Sequence, residues 1–105
     1  MREGIASSAA IMEMASQSSE YAGGSTYSER GGKTRIDWEY NGNGTGNVHL
    51  HTGSSAKVRL YFVDANGVVT AFEVAKAVTK FINSNPQVQE AMTKALEKVL
   101  TLSGK

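Results

Sequence analysis

His49 and His51 stand one residue apart and are the only histidines in the chain. Imidazole titrates at about pH 6.5, so a pair can accept a proton from one atom and deliver one to another near neutral pH. Around them in sequence lie Lys33, Arg35, Lys57, Arg59 and Tyr61, which bring positive charge and a phenol. Metal-free cleavage of RNA needs such a set. One group removes the proton of a ribose 2′-hydroxyl, a second protonates the departing 5′-oxygen, and a cation stabilises the charge that grows on phosphorus. On residue type, His49, His51, Arg59 and Tyr61 are the candidate catalytic groups, and Lys33, Arg35 and Lys57 the candidate substrate-binding groups. Neighbouring aromatic rings could stack on bases.

Other chemistries fit parts of the same set. A solvent-facing strand ordinarily carries charged and polar residues, and two histidines at i and i+2 belong to such a face as readily as to a site. His-x-His on a strand also occurs in metal sites, with Asp37 or Glu39 as the further ligand needed to complete one. No metal ligand is assigned on spacing alone, and no cofactor is expected. The glycine-rich stretch 42–46 opens no helix and has no Gly-Lys-Ser/Thr, so it is not a phosphate-binding P-loop. The absence of cysteine excludes disulfides, thiolate zinc sites and thiol nucleophiles.

The elements that must position these groups fit one domain. The chain has 105 residues with 40 % hydrophobic and 20 % charged content, ordinary values for a globular protein. Its formal net charge is +1, so nucleic-acid affinity would have to come from local clustering of charge. The N-terminal residues form no continuous apolar stretch of the secretory-signal kind, and no membrane contact is expected.

Residues 33–41 alternate strictly, with Thr34, Ile36, Trp38 and Tyr40 on one side and Lys33, Arg35, Asp37 and Glu39 on the other. Period two over this length predicts a half-buried strand. A second strand is expected over residues 47–52, with Val48 and Leu50 inward and the histidines outward. A third follows over 57–64, with Val58, Leu60 and Phe62 inward and Lys57, Arg59 and Tyr61 outward. Asn66-Gly67 signals a hairpin into a short fourth strand, 68–70. Thr70-Ala71-Phe72-Glu73 has the form of a capping box and predicts a helix beginning after Thr70. Pro86 suits the first position of another helix, with Asn85 as its N-cap. Val88, Ala91, Met92, Ala95, Leu96, Val99 and Leu100 then recur at helical spacing, and Ser103-Gly104 ends the run. A weak apolar stripe suggests an N-terminal helix over 4–20, and the four glycines among residues 22–32 suggest a linker.

The expected fold is therefore α+β. An antiparallel sheet of three to four strands carries two C-terminal amphipathic helices on one face. Residues 1–32 form an N-terminal helix and linker, and 33–105 form the domain. Pairing the strands gathers Lys33, Arg35, Asp37, Glu39, His49, His51, Lys57, Arg59 and Tyr61 on the uncovered face, a locally basic surface that the net charge conceals.

The run Asp37-Trp38-Glu39-Tyr40, the Gly/Asn loop, Gly46-Asn47-Val48-His49, the strand ending at Asp64 and the tail from Asn85-Pro86-Gln87-Val88-Gln89 through Ala95-Leu96-Glu97-Lys98 resemble C-terminal toxin modules of bacterial polymorphic toxins. Such modules end Rhs and contact-dependent inhibition proteins, and many are ribonucleases of the barnase–colicin–RelE type. The resemblance covers roughly residues 33–102, and the Trp-bearing strand followed by Gly-Asn-Val-His is its most specific piece. It implies a secreted effector used in interbacterial competition, acting in the target-cell cytoplasm on RNA, with tRNA as one candidate, and neutralised by a cognate immunity protein. It carries over His49. At His51 the chain departs from the pattern, where a polar non-histidine is often met, which leaves room for Arg59, Lys57 or Tyr61 beside His51 as the second catalytic group. Two further functions stand beside the metal-independent endoribonuclease: a non-catalytic protein-binding module of a secretion or toxin system, and a metal-dependent nuclease built on His49-x-His51.

Overall fold

A computed structural model describes residues 20–31, 33–53 and 56–104. Five strands, β1 (Ala22–Ser28), β2 (Arg35–Tyr40), β3 (Gly46–Thr52), β4 (Ala56–Val63) and β5 (Val69–Ala71), form one antiparallel sheet in sequence order. Two helices follow, α1 (Lys76–Asn83) and α2 (Pro86–Ser103). The fold is α+β, as expected, with one more strand. The N-terminal helix expected over 4–20 lies almost wholly outside the described residues.

Helix α2 lies across β1, β2, β3 and β4. Its stripe of Val88, Ala91, Ala95 and Val99 is buried against Ile36, Val48, Leu50, Leu60 and Val63 from the sheet. Each Val, Leu or Ile side chain is worth about 1.5–3 kcal/mol when fully buried, so this layer is the main source of stability in so small a domain. Gly46 permits the close approach. A Cβ there would overlap Val99 Cγ1 and come within 2.6 Å of the Glu39 carbonyl oxygen. Tyr40 is also fully buried, and its hydroxyl accepts a hydrogen bond from Gly44 N–H at 3.0 Å, which ties the β2–β3 loop to the core.

Three local expectations are corrected. Residues 22–28 are not a linker: β1 pairs with β2 from Ala22 opposite Tyr40 to Ser28 opposite Arg35, so the ordered domain begins before residue 33. An extra residue between Ser25 and Tyr27 makes a bulge, and Thr26 there donates a hydrogen bond to the Ala91 carbonyl of α2 at 2.7 Å. The second correction concerns the capping box. Thr70 belongs to β5, and Phe72 N–H donates to the Leu60 carbonyl at 3.0 Å, which keeps the chain extended. Helix α1 starts only at Lys76 and has no side-chain cap.

The third correction is to the cap of α2. Asn85 stands at its N-cap as predicted, but its amide instead donates to the Phe81 carbonyl at 2.7 Å. Gln89 Nε2 donates to the Ile82 carbonyl. Side chains at the start of α2 thus add a second hydrogen bond to carbonyls at the end of α1 that already accept Ser84 and Asn85 N–H. Gly104, at φ 81°, closes α2 in the left-handed conformation, as the Ser-Gly ending predicts.

Candidate functional site

The register sorts the uncovered face of the sheet into rows running across the strands. Arg35, His51 and Lys57 form one row, and Ser25, Asp37, His49 and Arg59 the next. Gly23, Glu39, Asn47 and Phe62 form the third. Phe62 occupies a place that alternation assigns to Tyr61, because β4 carries a bulge. Opposite Val48 stands Tyr61 and opposite His49 stands Arg59, so Leu60 is the extra residue. A single inserted residue reverses the faces beyond it. Tyr61 is thereby turned to the helix side, where it packs against the core. Its placement beside the histidines is corrected on that ground.

A groove of about 400 Å³ opens on this face, lined by Tyr21, Gly23, Gly24, Ser25, Asp37, Trp38, Glu39, His49, His51 and Lys57. Asp37 is its centre. Its Oδ1 accepts a hydrogen bond from Ser25 Oγ at 2.5 Å, and its Oδ2 accepts one from Arg35 Nε at 2.8 Å. His51 Nε2 lies 3.2 Å from the same Oδ2. Burial alone would raise the Asp37 carboxyl. The Ser25 bond, the Arg35 guanidinium and His51 outweigh it and hold the group below the usual carboxylate value. Asp37 is therefore a fixed negative charge that engages Nε2 of His51 and orients its ring.

His49 differs from its neighbour. It is 7 % exposed, and no hydrogen bond reaches its ring among the described residues. Burial lowers its pKa first, and Lys57, His51 and Arg59 lower it further against the opposing pull of Glu39. Its ring is thus held neutral at ordinary pH, as a proton acceptor must be. The two ring centroids lie 6.5 Å apart at an interplanar angle of 78°. One imidazole held neutral and one beside a carboxylate, with centroids 6.5 Å apart on one face of β3, can serve two oxygens of one phosphodiester.

Of the residues predicted from sequence, His49, His51 and Lys57 line the groove, and Arg35 reaches it through Asp37. Arg59 stands opposite His49, but its guanidinium carbon lies 4.2 Å from the centroid of the Phe72 ring, which draws it toward β5. Lys33 is exposed ahead of β2 and does not line the groove. Sequence reasoning placed Asp37 on this face, with no role beyond that of a conditional metal ligand, and missed Ser25 and Tyr21 altogether. The run Ser25-Thr26-Tyr27 has strand-forming residues, but the preceding glycines and the bulge hide its period.

No group of three or more His, Asp or Glu side chains among the described residues is placed to hold a metal ion. None of the described helices is long and apolar enough to cross a membrane. No protein-family model, curated protein or solved structure matches the chain.

Proposed function

We propose that the protein is a metal-independent endoribonuclease. The observation that carries this reading is the pairing, on one groove, of a neutral buried His49 with a carboxylate-clamped His51, 6.5 Å apart and beside Lys57. His49 takes the proton of a ribose 2′-hydroxyl. The 2′-oxygen attacks phosphorus, and the bond from phosphorus to the 5′-oxygen breaks. His51, entering the step as imidazolium, gives that oxygen its proton. The products are a 2′,3′-cyclic phosphate and a free 5′-hydroxyl. Lys57 offsets the charge that gathers on the phosphoryl oxygens, and Arg35 acts through Asp37. Asp37 holds the His51 ring in place through the 3.2 Å approach of Nε2 to its Oδ2.

The sequence resemblance supports the setting of this activity, a secreted toxin of interbacterial competition that cleaves RNA, tRNA being one candidate, and is silenced by a cognate immunity protein. The test uses purified protein and total bacterial RNA in chelator, beside a His49→Ala variant. Discrete fragments from the parent alone are expected. Equal cleavage by the variant would remove His49 from the mechanism, and intact RNA with the parent would move the weight to a metal-dependent nuclease or a protein-binding module, which added divalent ion then separates.

A further inference from the structure

The groove is chemically polarised along the strands. Its lysine, Lys57, lies at one end, in the row it shares with Arg35 and His51. Two rows away, about 13–14 Å along the strands, the row of Gly23, Glu39, Asn47 and Phe62 holds no lysine or arginine. Tyr21 belongs to this second end. Tyr21 is 64 % exposed, and its hydroxyl donates to Glu39 Oε2 at 3.1 Å, which sets an exposed aromatic beside that carboxylate. Gly23 makes room for it, since a Cβ there would lie 3.3 Å from both the Tyr21 hydroxyl and the Trp38 carbonyl oxygen. A carboxylate repels phosphate and accepts N–H donors, and an exposed ring at the lip of a nucleic-acid groove is a stacking surface.

We propose that this end is a base subsite, which takes the unpaired base beside the scissile phosphate, stacked on Tyr21 with its N–H edge toward Glu39. The inference rests on the ribonuclease reading and adds the substrate class, single-stranded RNA. In a duplex the base faces are stacked and the N–H edges are paired, so neither can reach Tyr21 or Glu39.

The test measures binding of a labelled 2′-O-methyl oligoribonucleotide, which has no nucleophile to cleave it, to the full chain by fluorescence anisotropy. The parent is expected to bind the single strand and to bind the same sequence as a duplex at least about tenfold more weakly. Tyr21→Leu should raise Kd for the single strand about tenfold, the scale of one lost base–aromatic stack. Tyr21→Phe, which keeps the ring and loses only the hydroxyl, should restore most of it. On cleavable RNA the loss in Tyr21→Leu should fall on KM more than on kcat. Equal binding by the Leu and Phe variants, duplex bound as tightly as single strand, or no binding by the parent would each overturn the subsite. A parent that binds through Tyr21 but never cleaves would uphold it while removing the catalytic reading. A parent that cleaves no differently from Tyr21→Leu would do the reverse.

Discussion

Replacing Asp37 by Asn keeps the size of the side chain and one carbonyl acceptor, and removes the charge on which Ser25, Arg35 and His51 converge. A hydrogen bond to a charged group contributes about 1.5–3 kcal/mol and a neutral one about 1 kcal/mol. The Arg35 side chain is 40 % exposed, so its share is screened toward the surface value of about 0–1 kcal/mol. The expected loss of stability near neutral pH is therefore about 1–2 kcal/mol. Its pH dependence has a definite sign. Asp37 sits below its ordinary 3.8 in the folded chain. The unfolded chain thus takes up this proton first as pH falls. The stabilisation is complete above the unfolded value and disappears as pH passes down through the folded one. Urea denaturation of both proteins should show a gap near neutral pH that narrows at about pH 3. Cleavage should fall about 10–100-fold in kcat, part of the whole acid–base contribution, with KM little changed. A variant that cleaves at the parent's rate, or a stability gap that persists unchanged in acid, would refute the role given to Asp37.

Folded His49 has a lowered pKa, so it binds its proton less readily than the unfolded chain does; stability should decline as pH falls below 6.5, and His49→Gln should flatten that decline in melts between neutral and mildly acid pH. Gly46→Ala drives a methyl into Val99 and the Glu39 carbonyl and should cost about 1–3 kcal/mol, read as a lowered Tm. Tyr61→Phe should leave cleavage within about twofold of the parent, since the bulge turns that ring to the core. A tenfold fall with an unchanged Tm would mean that its hydroxyl reaches the substrate.

Much of the frame was legible in the sequence because it rests on periodicity. Strict alternation marked β2 and β3, the Asn66-Gly67 hairpin placed β5 to within a residue, and the apolar spacing after Pro86 traced α2 to Gly104. What escaped has a common cause in single residues that break a period. Leu60 is inserted in β4 and moves Tyr61 off the polar face. Thr26 is inserted in β1, where glycines already erase the pattern, so Ser25 and Tyr21 could not be aligned with Asp37 and Glu39. The Thr70–Glu73 signal failed because a ladder hydrogen bond to Leu60 outweighed a local capping preference. The histidines and Lys57 fall on the expected face because the strands that bear them keep their register to that point, whereas the contact of Asp37 with His51 depends on a pairing that only the sheet reveals.

The most direct test of the central claim is the chemistry of the cut ends. RNA cleaved by the purified protein in chelator should, by mass spectrometry, carry 2′,3′-cyclic phosphate on one fragment and 5′-hydroxyl on the other. Fragments ending in 3′-hydroxyl and 5′-phosphate, or RNA left intact, would contradict cleavage by the His49–His51 pair.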